Sequence, residues 1–415
     1  MPESVQRESG PFRARGGTRV LRLAPTDRVL FVAPHPDDDI LAAGGLLQHA
    51  AELGGSVRIL YVTRGENNPW AQRVHERRWR IGQADRERWA RLRRGEALAS
   101  LDRLGLPAAC ARFLAFHDQG LTDLAMSGGG ALIELLADEI AFWKPTLILL
   151  PAIFDAHPDH NSLGALAHLA LARVPADLPR PKELAFVIHR PRRPVPPGKE
   201  HYTLSRPQVE RKRLAILCHR SQLHLRRRFL LGFAREAEAF HTVSGGPDAD
   251  ALHPVREVFA ADGRLHIVIR KPRAPRVARS ELLVLSADSA AEPTRIRVEY
   301  DVRGRSAYQY DTTNGSKPVP VAMRLTSDLV ELSLPRWDGA RSGVPPILFA
   351  KVDHPGIRRI GFFDSAGWRC LDAFESAGAD GRLRRSEAIP AHFQEIEAAR
   401  VPDRESECEV APERP

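Results

Sequence analysis

The chain has 415 residues, with 61 Lys and Arg against 52 Asp and Glu, and a formal net charge of +9. At about 150 residues per domain, this length predicts two or three domains and excludes one small module. The charge is compatible with a nucleic acid, an anionic membrane surface or a phosphorylated substrate, and equally with an arginine-rich composition that has no such partner. No apolar run reaches the ~18 residues of a membrane span.

Cysteine usage and the N-terminal segment bear on the compartment. The four cysteines are far apart and form no CxxC pair, which argues against a disulfide framework and against a thiolate metal site. The first thirty residues mix acids, arginines and glycines, which is not typical of a secretory signal. We therefore expect a protein of the reducing cytoplasm.

The first part of the chain alternates apolar runs with helical patterns. The predicted strands are Arg28–Pro34, Val57–Thr63, Ala111–Phe116, Thr146–Pro151 and Leu184–Ile188. The predicted helices cover 39–53, 85–104, 130–142, 162–172 and 206–224, with a long loop before the second helix and a basic, proline-rich loop at 189–199. This alternation predicts βαβ units, and hence a Rossmann-like α/β fold with a doubly wound, mostly parallel sheet.

The pattern changes after Thr242–Pro254, a segment with the composition of a linker. Short β-rich runs follow at 263–270, 281–286, 294–302, 321–325, 329–334 and 347–352, with turn signals at Asn314-Gly315 and Asp338-Gly339. They predict an antiparallel all-β sandwich-like domain. The predicted organisation is an N-terminal extension (1–26), the α/β domain (27–245), a linker (246–255), the β domain (256–375) and a charged, loosely ordered tail (376–415).

Two segments concentrate histidine and aspartate: Pro34–Asp39 (PHPDDD) and Asp155–His160 (DAHPDH). They follow the first and the fourth predicted strands. In the common strand order 3-2-1-4-5 these two strands are neighbours, and ligands bind at their carboxyl ends. We therefore expect the two segments to face each other across about 120 residues of chain.

Two imidazoles and one carboxylate with an open position suit catalytic zinc, which lowers the pKa of a bound water to about 7. One of Asp37 and Asp38 can bind the metal while the other acts as general base, and a further histidine can stabilise an oxyanion. The same ligands suit a non-haem iron oxygenase, although such ligands usually project from an antiparallel barrel. Either segment alone is also compatible with a simple turn or helix cap.

The two motifs resemble those of the phosphatidylinositol-glycan class L (PIG-L)/LmbE-like de-N-acetylases. The family pattern (A/P)HPDDE appears as Pro34–Asp39, with Asp39 where the family usually has Glu, and HPDH appears as His157–His160. Supporting similarities lie at Thr63–Glu66 (TxGE), at Arg93–Gly105 (R..EA......LG), at Phe113–Leu121 (FL..pDg.l) and at 210–222 (K..A...H.SQ). The resemblance covers 27–245 and does not include the β domain.

The resemblance implies a zinc hydrolase that removes an acetyl group from an N-acetylglucosamine derivative. His35, Asp38 and His160 would be the zinc ligands, Asp37 the general base, and His157 an oxyanion-stabilising or acidic residue. Asp155 would orient a histidine ligand. The change at Asp39, which is not a ligand in the pattern, is expected to require only a small local adjustment.

The segment 70–94 holds nine arginines, three acids and Trp70, Trp79 and Trp89. It is either a substrate lid, in which tryptophans stack on sugars and arginines bind an anionic group, or a solvated basic helix with core tryptophans. The substrate-binding candidates are Arg64, Trp70, Trp79, Arg93, Asp118 and His219. The histidines His49, His75, His168, His189 and His241 are interpreted as structural.

The sequence therefore predicts a zinc-dependent N-deacetylase that acts on an N-acetylated amino sugar, with an anionic substrate as one option. The alternatives are an amidase that cleaves a non-acetyl amide and a sugar-binding protein whose metal site is not catalytic. Nucleic acid is not an expected partner, because no recognised binding motif accompanies the arginines and tryptophans. The β domain is expected to bind carbohydrate, to mediate oligomerisation or to brace the catalytic domain.

Overall fold

The computed structural model describes residues 19–191, 200–241, 253–261, 264–271, 279–287, 293–310, 317–334, 347–353, 366–371 and 394–396. Most of the predicted basic loop, the predicted linker up to residue 252 and both predicted Asn-Gly and Asp-Gly turns lie outside these residues. So does most of the predicted tail. The domain boundaries drawn from the sequence stay predictions.

The α/β part has its strands and helices in alternation. In chain order they are β1 (Arg19–Val20), β2 (Arg28–Ala33), α1 (Asp38–Glu52), β3 (Ser56–Thr63), α2 (Pro69–Glu76), α3 (Gln83–Arg103), β4 (Ala111–Phe116), α4 (Leu121–Ser127), α5 (Gly130–Trp143), β5 (Leu147–Pro151), α6 (Pro158–Arg173), β6 (Lys182–Phe186), β7 (Glu200–Thr203), α7 (Arg206–Ile216), α8 (Arg220–Leu231) and β8 (Ala237–Phe240).

Five of these strands form a parallel sheet in the order β4-β3-β2-β5-β6. In order of appearance along the chain this is 3-2-1-4-5, so the predicted Rossmann-like topology is confirmed. Its central strands β2 and β5 are buried almost throughout, as expected for a sheet covered by helices on both faces. The strands β1, β7 and β8 form a separate three-stranded sheet.

The helices differ from the prediction in three places. The predicted long loop contains α2, which Asn68 caps and Pro69 begins, and α4 lies between β4 and α5. The helix predicted over 206–224 is two helices, α7 and α8, and His219 is the residue that precedes the second. The third difference is the start of α6 at Pro158, four residues early.

That early start follows from local chemistry. The His157 side chain accepts a hydrogen bond from the Asp159 N–H, and proline suits the first position of a helix. Further along α6, Gly164 lets the helix approach β5 closely, because a Cβ there would lie 2.4 Å from the carbonyl oxygen of Pro151. The HPDH motif is therefore the N-terminal turn of a helix packed tightly on the sheet.

The β part consists of two antiparallel sheets. Its strands are β9 (Val255–Ala261), β10 (Arg264–Arg270), β11 (Arg279–Ala287), β12 (Thr294–Asp301), β13 (Ser306–Tyr310), β14 (Val319–Pro320), β15 (Ala322–Leu325), β16 (Leu329–Leu334), β17 (Ile347–Asp353), β18 (Arg369–Leu371) and β19 (Gln394–Ile396). The sheet orders are β19-β15-β16-β10-β9 and β14-β13-β12-β11-β17-β18. A core of aliphatic side chains from both sheets, such as Ile267 and Val284, joins them, which confirms the sandwich-like prediction.

One strand falls within the predicted tail, whose organisation otherwise stays a prediction. The strand β19 lies within 376–415 and pairs antiparallel with β15, with Met323 opposite Ile396. An edge strand offers unpaired backbone N–H and C=O groups, to which a further strand such as β19 can pair. Among the helices in the described part of the chain, none is long and apolar enough to cross a membrane.

Candidate metal centre and active-site cavity

The two His/Asp segments meet at the carboxyl ends of the adjacent strands β2 and β5, as predicted. His35 lies in the turn after β2, and Asp38 is the first residue of α1. His160 lies in the first turn of α6. All three side chains are buried, with exposed fractions of 7%, 2% and 0%.

Three atoms of these residues form an equal-sided triangle. His35 Nδ1 lies 3.2 Å from Asp38 Oδ2 and 3.2 Å from His160 Nε2, and these last two atoms are also 3.2 Å apart. Ligand atoms about 2.1 Å from a tetrahedral zinc ion lie about 3.4 Å from each other. The triangle therefore fits three ligands of one small dication, and the predicted ligand set converges.

The other ring nitrogen of His35 faces two more carboxylates. His35 Nε2 lies 3.1 Å from Asp118 Oδ1 and 3.4 Å from Asp159 Oδ2. Asp159 also accepts hydrogen bonds from the backbone N–H groups of Gln119 and Leu121, so it ties α6 to the turn after β4. A metal-binding histidine commonly donates its other N–H to a carboxylate, and Asp118 supplies that acceptor here.

Besides this triangle, two other groups of side chains in the described residues are close enough to hold a metal ion: His35 with His157 and His160, and His35 with Asp118 and Asp159. Their ligand atoms lie within 4.8 Å of one another. We favour the Nδ1 side, because the triangle completed by Asp38 is tighter. Asp118 and Asp159 are then hydrogen-bond partners of His35.

Burial and charge oppose each other in this cluster. Burial lowers the pKa of His35, but Asp118 and the other carboxylates outweigh it and hold the pKa well above the ordinary value. Burial also lowers the pKa of His160, yet Asp38 and Asp155 raise it to about 9. The buried carboxylates therefore attract positive charge, which protons or a dication can supply, and metal binding at such a site releases protons.

Asp155 and His157 support this arrangement from the loop between β5 and α6. Asp155 accepts backbone N–H bonds from His157, Ile188 and His189, and its Oδ2 lies 3.4 Å from His160 Nδ1. His157 Nδ1 accepts the Asp159 N–H, which leaves Nε2 as the protonated nitrogen of a neutral ring. Burial, together with His35 and His160, lowers the pKa of His157 to about 3.

Asp37 lies beside the triangle and pairs with an arginine. Arg93 Nη2 is 3.0 Å from Asp37 Oδ1, and Arg93 Nη1 donates to the Gly65 carbonyl oxygen. Arg93 is only 3% exposed, so this is a buried ion pair. His219 is also buried, and burial chiefly lowers its pKa to about 4, with smaller opposing effects of the Asp37 and Arg93 charges.

Asp39 points away from this group. Its Oδ2 accepts a hydrogen bond from the Tyr61 hydroxyl at 2.7 Å, and burial raises its pKa to about 7. The side chain that departs from the family pattern therefore lies under the site.

A cavity of about 510 Å3 opens above the cluster. Of the predicted substrate-binding residues, Trp70, Arg93 and Asp118 line it, together with the predicted catalytic residues Asp37 and His157. Arg64 and Trp79 do not line it. Trp79 is 75% exposed and is joined to Trp70 through Arg73, which lies over both indole rings.

The segment 70–94 is thus divided. Trp70 is at the cavity and Trp79 on the surface, whereas Trp89 is fully buried and belongs to the protein interior. Arg86 lines the cavity and donates to Asn67 Oδ1. Trp70 and Arg86 are therefore placed where a substrate lid would need them, whereas Trp89 is a core residue and not part of a lid.

Several cavity residues were not singled out from the sequence as substrate contacts: Asn67, Asn68, Gln119, His189, Leu225 and Phe229. His189, which we interpreted as structural, stacks on Phe229 and lies 5.3 Å from His160 between ring centroids. Arg226 lies at a kink in α8, where its φ is −131°. No local motif marks these positions, because the segments after β3, β4 and β6 and the helix α8 come together only in the folded protein.

The fold and the site together define an α/β domain with a buried His/Asp metal-binding cluster at the ends of two parallel strands. Residues 30–171 match the family model described as PIG-L: GlcNAc-PI de-N-acetylase. That part of the chain is a PIG-L family domain. The match ends within α6 and does not extend to the β part.

Two relatives in sequence carry names of the same kind, and one solved structure is reported beside them. The chain is 28% identical over 196 residues to a probable N-acetyl-alpha-D-glucosaminyl L-malate deacetylase 2 of Bacillus cereus, covering 47% of this chain and 83% of that protein. It is 36% identical over 89 residues to a 1D-myo-inositol 2-acetamido-2-deoxy-alpha-D-glucopyranoside deacetylase of Mycobacterium avium, covering 21% of this chain and 28% of that protein. A solved N,N'-diacetylchitobiose deacetylase from Pyrococcus horikoshii is 22% identical, with a TM-score of 0.38 and coverage of 52% and 83%.

Proposed function

We propose that this protein is a zinc-dependent N-deacetylase that hydrolyses the acetamide of an N-acetylglucosamine unit in a larger molecule. The observation that carries the proposal is the triangle of His35, Asp38 and His160, with Asp37 beside it at the cavity wall. The named activities of the Bacillus and Mycobacterium relatives support the same reaction class.

The residues present fit the metal for two reasons. Three buried ligand atoms are spaced for one dication, and the carboxylates around His35 and His160 carry more negative charge than two protonated histidines could neutralise. His35, Asp38 and His160 would hold it. A bound zinc would act as Lewis acid on the amide and lower the pKa of a water to about 7.

The chain's own residues then handle the protons. Asp37 accepts the proton of the attacking water and returns it to the nitrogen of the leaving amine. Arg93 holds Asp37 in place through the 3.0 Å ion pair. His157 is a neutral ring whose Nε2 carries the proton, so it donates a hydrogen bond to the carbonyl oxygen as negative charge develops and leaves protonation of the amine to Asp37.

The cavity suggests how the rest of the substrate binds. Trp70 and Phe229 offer aromatic surfaces at its rim, with exposed fractions of 57% and 39%. Arg86 and Arg226 line the same cavity and would favour an anionic group on the far side of the sugar. We assign the sugar to the aromatic rim.

We also propose that the reaction takes place in the cytoplasm, where the three free cysteines of the described residues would stay reduced.

The test is acetate release from a panel of N-acetylglucosamine glycosides with neutral and anionic aglycones. We expect release that a chelator abolishes and that added zinc restores. Release that survives chelation would contradict the zinc mechanism. Cleavage of longer acyl amides without any acetate release would identify the amidase alternative, and sugar binding without hydrolysis would identify the binding protein.

A further inference from the structure

The β part is packed directly against the helix that carries His160. Leu283 of β11, Phe349 of β17 and Trp368, which directly precedes β18, belong to the same buried cluster as Phe154 and Leu163 from the α/β part. The face of the sheet formed by β11, β17 and β18 is therefore an internal interface, and it is not available to bind carbohydrate.

Two polar side chains from this face make hydrogen bonds next to the candidate ligand. Lys351 on β17 is completely buried, and its Nζ donates to Asn161 Oδ1 at 3.3 Å. The indole Nε1 of Trp368, 1% exposed, donates to Ser162 Oγ at 3.2 Å. Asn161 and Ser162 directly follow His160 in α6.

Asn161 connects Lys351 to the loop that contains Asp155, which faces His160. Its Nδ2 donates to the backbone carbonyl of Asp155 at 3.0 Å, and the Asp155 carboxylate faces His160 Nδ1. A continuous chain of buried contacts thus runs from Lys351 through Asn161 and Asp155 to His160.

The backbone of the β part also meets the same loop. The Trp368 N–H donates to the Ile153 carbonyl oxygen at 2.8 Å. Gly367 precedes it with a φ of +72°, and a Cβ there would lie 2.3 Å from that same oxygen. Glycine is required at this position both by the left-handed conformation and by the close backbone approach.

We propose that the β part is a positioning element for the metal centre, in which Lys351 and Trp368 hold the Asp155 loop and the first turn of α6 so that His160 points at the metal. The proposal rests on the proposed metal-dependent function. It makes Lys351 and Trp368 positioning residues, since neither lines the cavity. Partners that orient metal ligands typically change metal affinity or activity by 10-fold to 100-fold when removed.

The test measures metal binding to the full-length protein. Metal-stripped wild type, Lys351→Met and Trp368→Phe are titrated with zinc against a chromogenic chelator, and their cobalt(II) forms are compared by visible absorption. Val298→Ala is the matched control, because Val298 is fully buried in the core between the two β sheets and is absent from the shared cluster.

We expect zinc affinity to fall at least tenfold in Lys351→Met and measurably in Trp368→Phe, with a shifted cobalt spectrum in both. Val298→Ala should lose stability and keep wild-type affinity and spectrum. Wild-type affinity and spectrum in both interface variants would overturn the proposal. If Lys351→Met does not fold, Trp368→Phe decides the outcome alone.

Turnover separates this proposal from the proposed function. Wild-type protein that binds zinc but releases no acetate would contradict the function and leave the positioning role to the titrations. Wild-type protein that binds no zinc would overturn both.

Discussion

Asp37 and Asp38 are neighbours in sequence with different surroundings. Asp38 faces two imidazoles, whereas Asp37 faces a guanidinium and the cavity. The sequence alone left open which of the two binds metal and which acts as base, and the resemblance to a family assigned them. The proposed function keeps that assignment, with Asp38 as a metal ligand and Asp37 as the base.

The first prediction concerns Asp37→Asn. An amide cannot accept the proton of the attacking water, so we expect acetate release to fall by about 10²-fold to 10⁴-fold while zinc content stays at the wild-type level. Steady-state kinetics and metal analysis of the same preparation provide the measurement. Asp102→Asn, at an exposed position on α3, is the control and should behave as wild type. Full activity in Asp37→Asn would remove Asp37 from the mechanism.

A second prediction at the residue scale concerns pH and stability. Burial, with a smaller effect of Arg190, lowers the pKa of His241 to about 4. The unfolded chain, with an ordinary histidine pKa of about 6.5, therefore takes up this proton at higher pH than the folded protein does. The contribution of His241 to the free energy of unfolding is therefore fully present above pH 6.5, and it is lost as the pH decreases towards 4.

Replacing His241 by Gln removes this proton from both states. The pH dependence of the unfolding free energy between about pH 6.5 and 4.5 should become shallower, by at most about 1.4 kcal/mol per pH unit. Urea unfolding of both proteins in the presence of chelator gives the two curves, without a contribution from metal release. Parallel curves would show that His241 titrates equally in both states.

At the scale of elements, helix α1 contains a break, and one carboxylate of a buried ion pair accepts hydrogen bonds from backbone N–H groups there. Ala43 has non-helical angles, and the N–H groups of Gly45 and Leu46 donate to the carboxylate of Glu238 instead. Lys212, 1% exposed, lies 2.6 Å from that carboxylate and also donates to the Leu41 carbonyl oxygen. The helix that positions Asp38 thus depends on side chains from α7 and β8.

We expect Glu238→Gln to destabilise the protein by about 3–5 kcal/mol, because it leaves the Lys212 charge buried without its carboxylate. Urea denaturation measures the change. Glu52→Gln, which removes the partly exposed pair with Arg211, is the matched control and should cost less than about 1 kcal/mol. A loss below 1 kcal/mol for Glu238→Gln would contradict this role of the pair.

The elements differ in how far the sequence predicts them. The five parallel strands and their order follow from continuous apolar runs and the βαβ rule, and the His/Asp motifs follow from their position after two of those strands. The short helices α2 and α4 escape such analysis because each spans about two turns between glycine-rich or polar segments. Arg226 and His189 reach the cavity only through tertiary packing.

At the scale of the whole molecule, the two parts of the chain share a buried cluster. Phe349, Trp368 and Cys370 pack into the core that includes Leu163 and Leu166 of α6. The sequence pattern places a linker between two domains, and it does not reveal that one face of the β sandwich is part of the core of the other domain.

A shared core predicts coupled unfolding. We expect a single cooperative transition in scanning calorimetry, because separating the parts would expose the apolar side chains on both sides of the interface. Trp368→Ala should lower the temperature of that one transition by removing a large buried side chain. Two resolved transitions, of which Trp368→Ala moved only one, would show that the parts unfold independently.

The central claim is the metal centre, and anomalous diffraction from a zinc-loaded crystal tests it most directly. We predict one peak at the zinc absorption edge among His35 Nδ1, Asp38 and His160 Nε2. A peak on the opposite side of the same ring, among His35 Nε2, Asp118 and Asp159, would contradict the account.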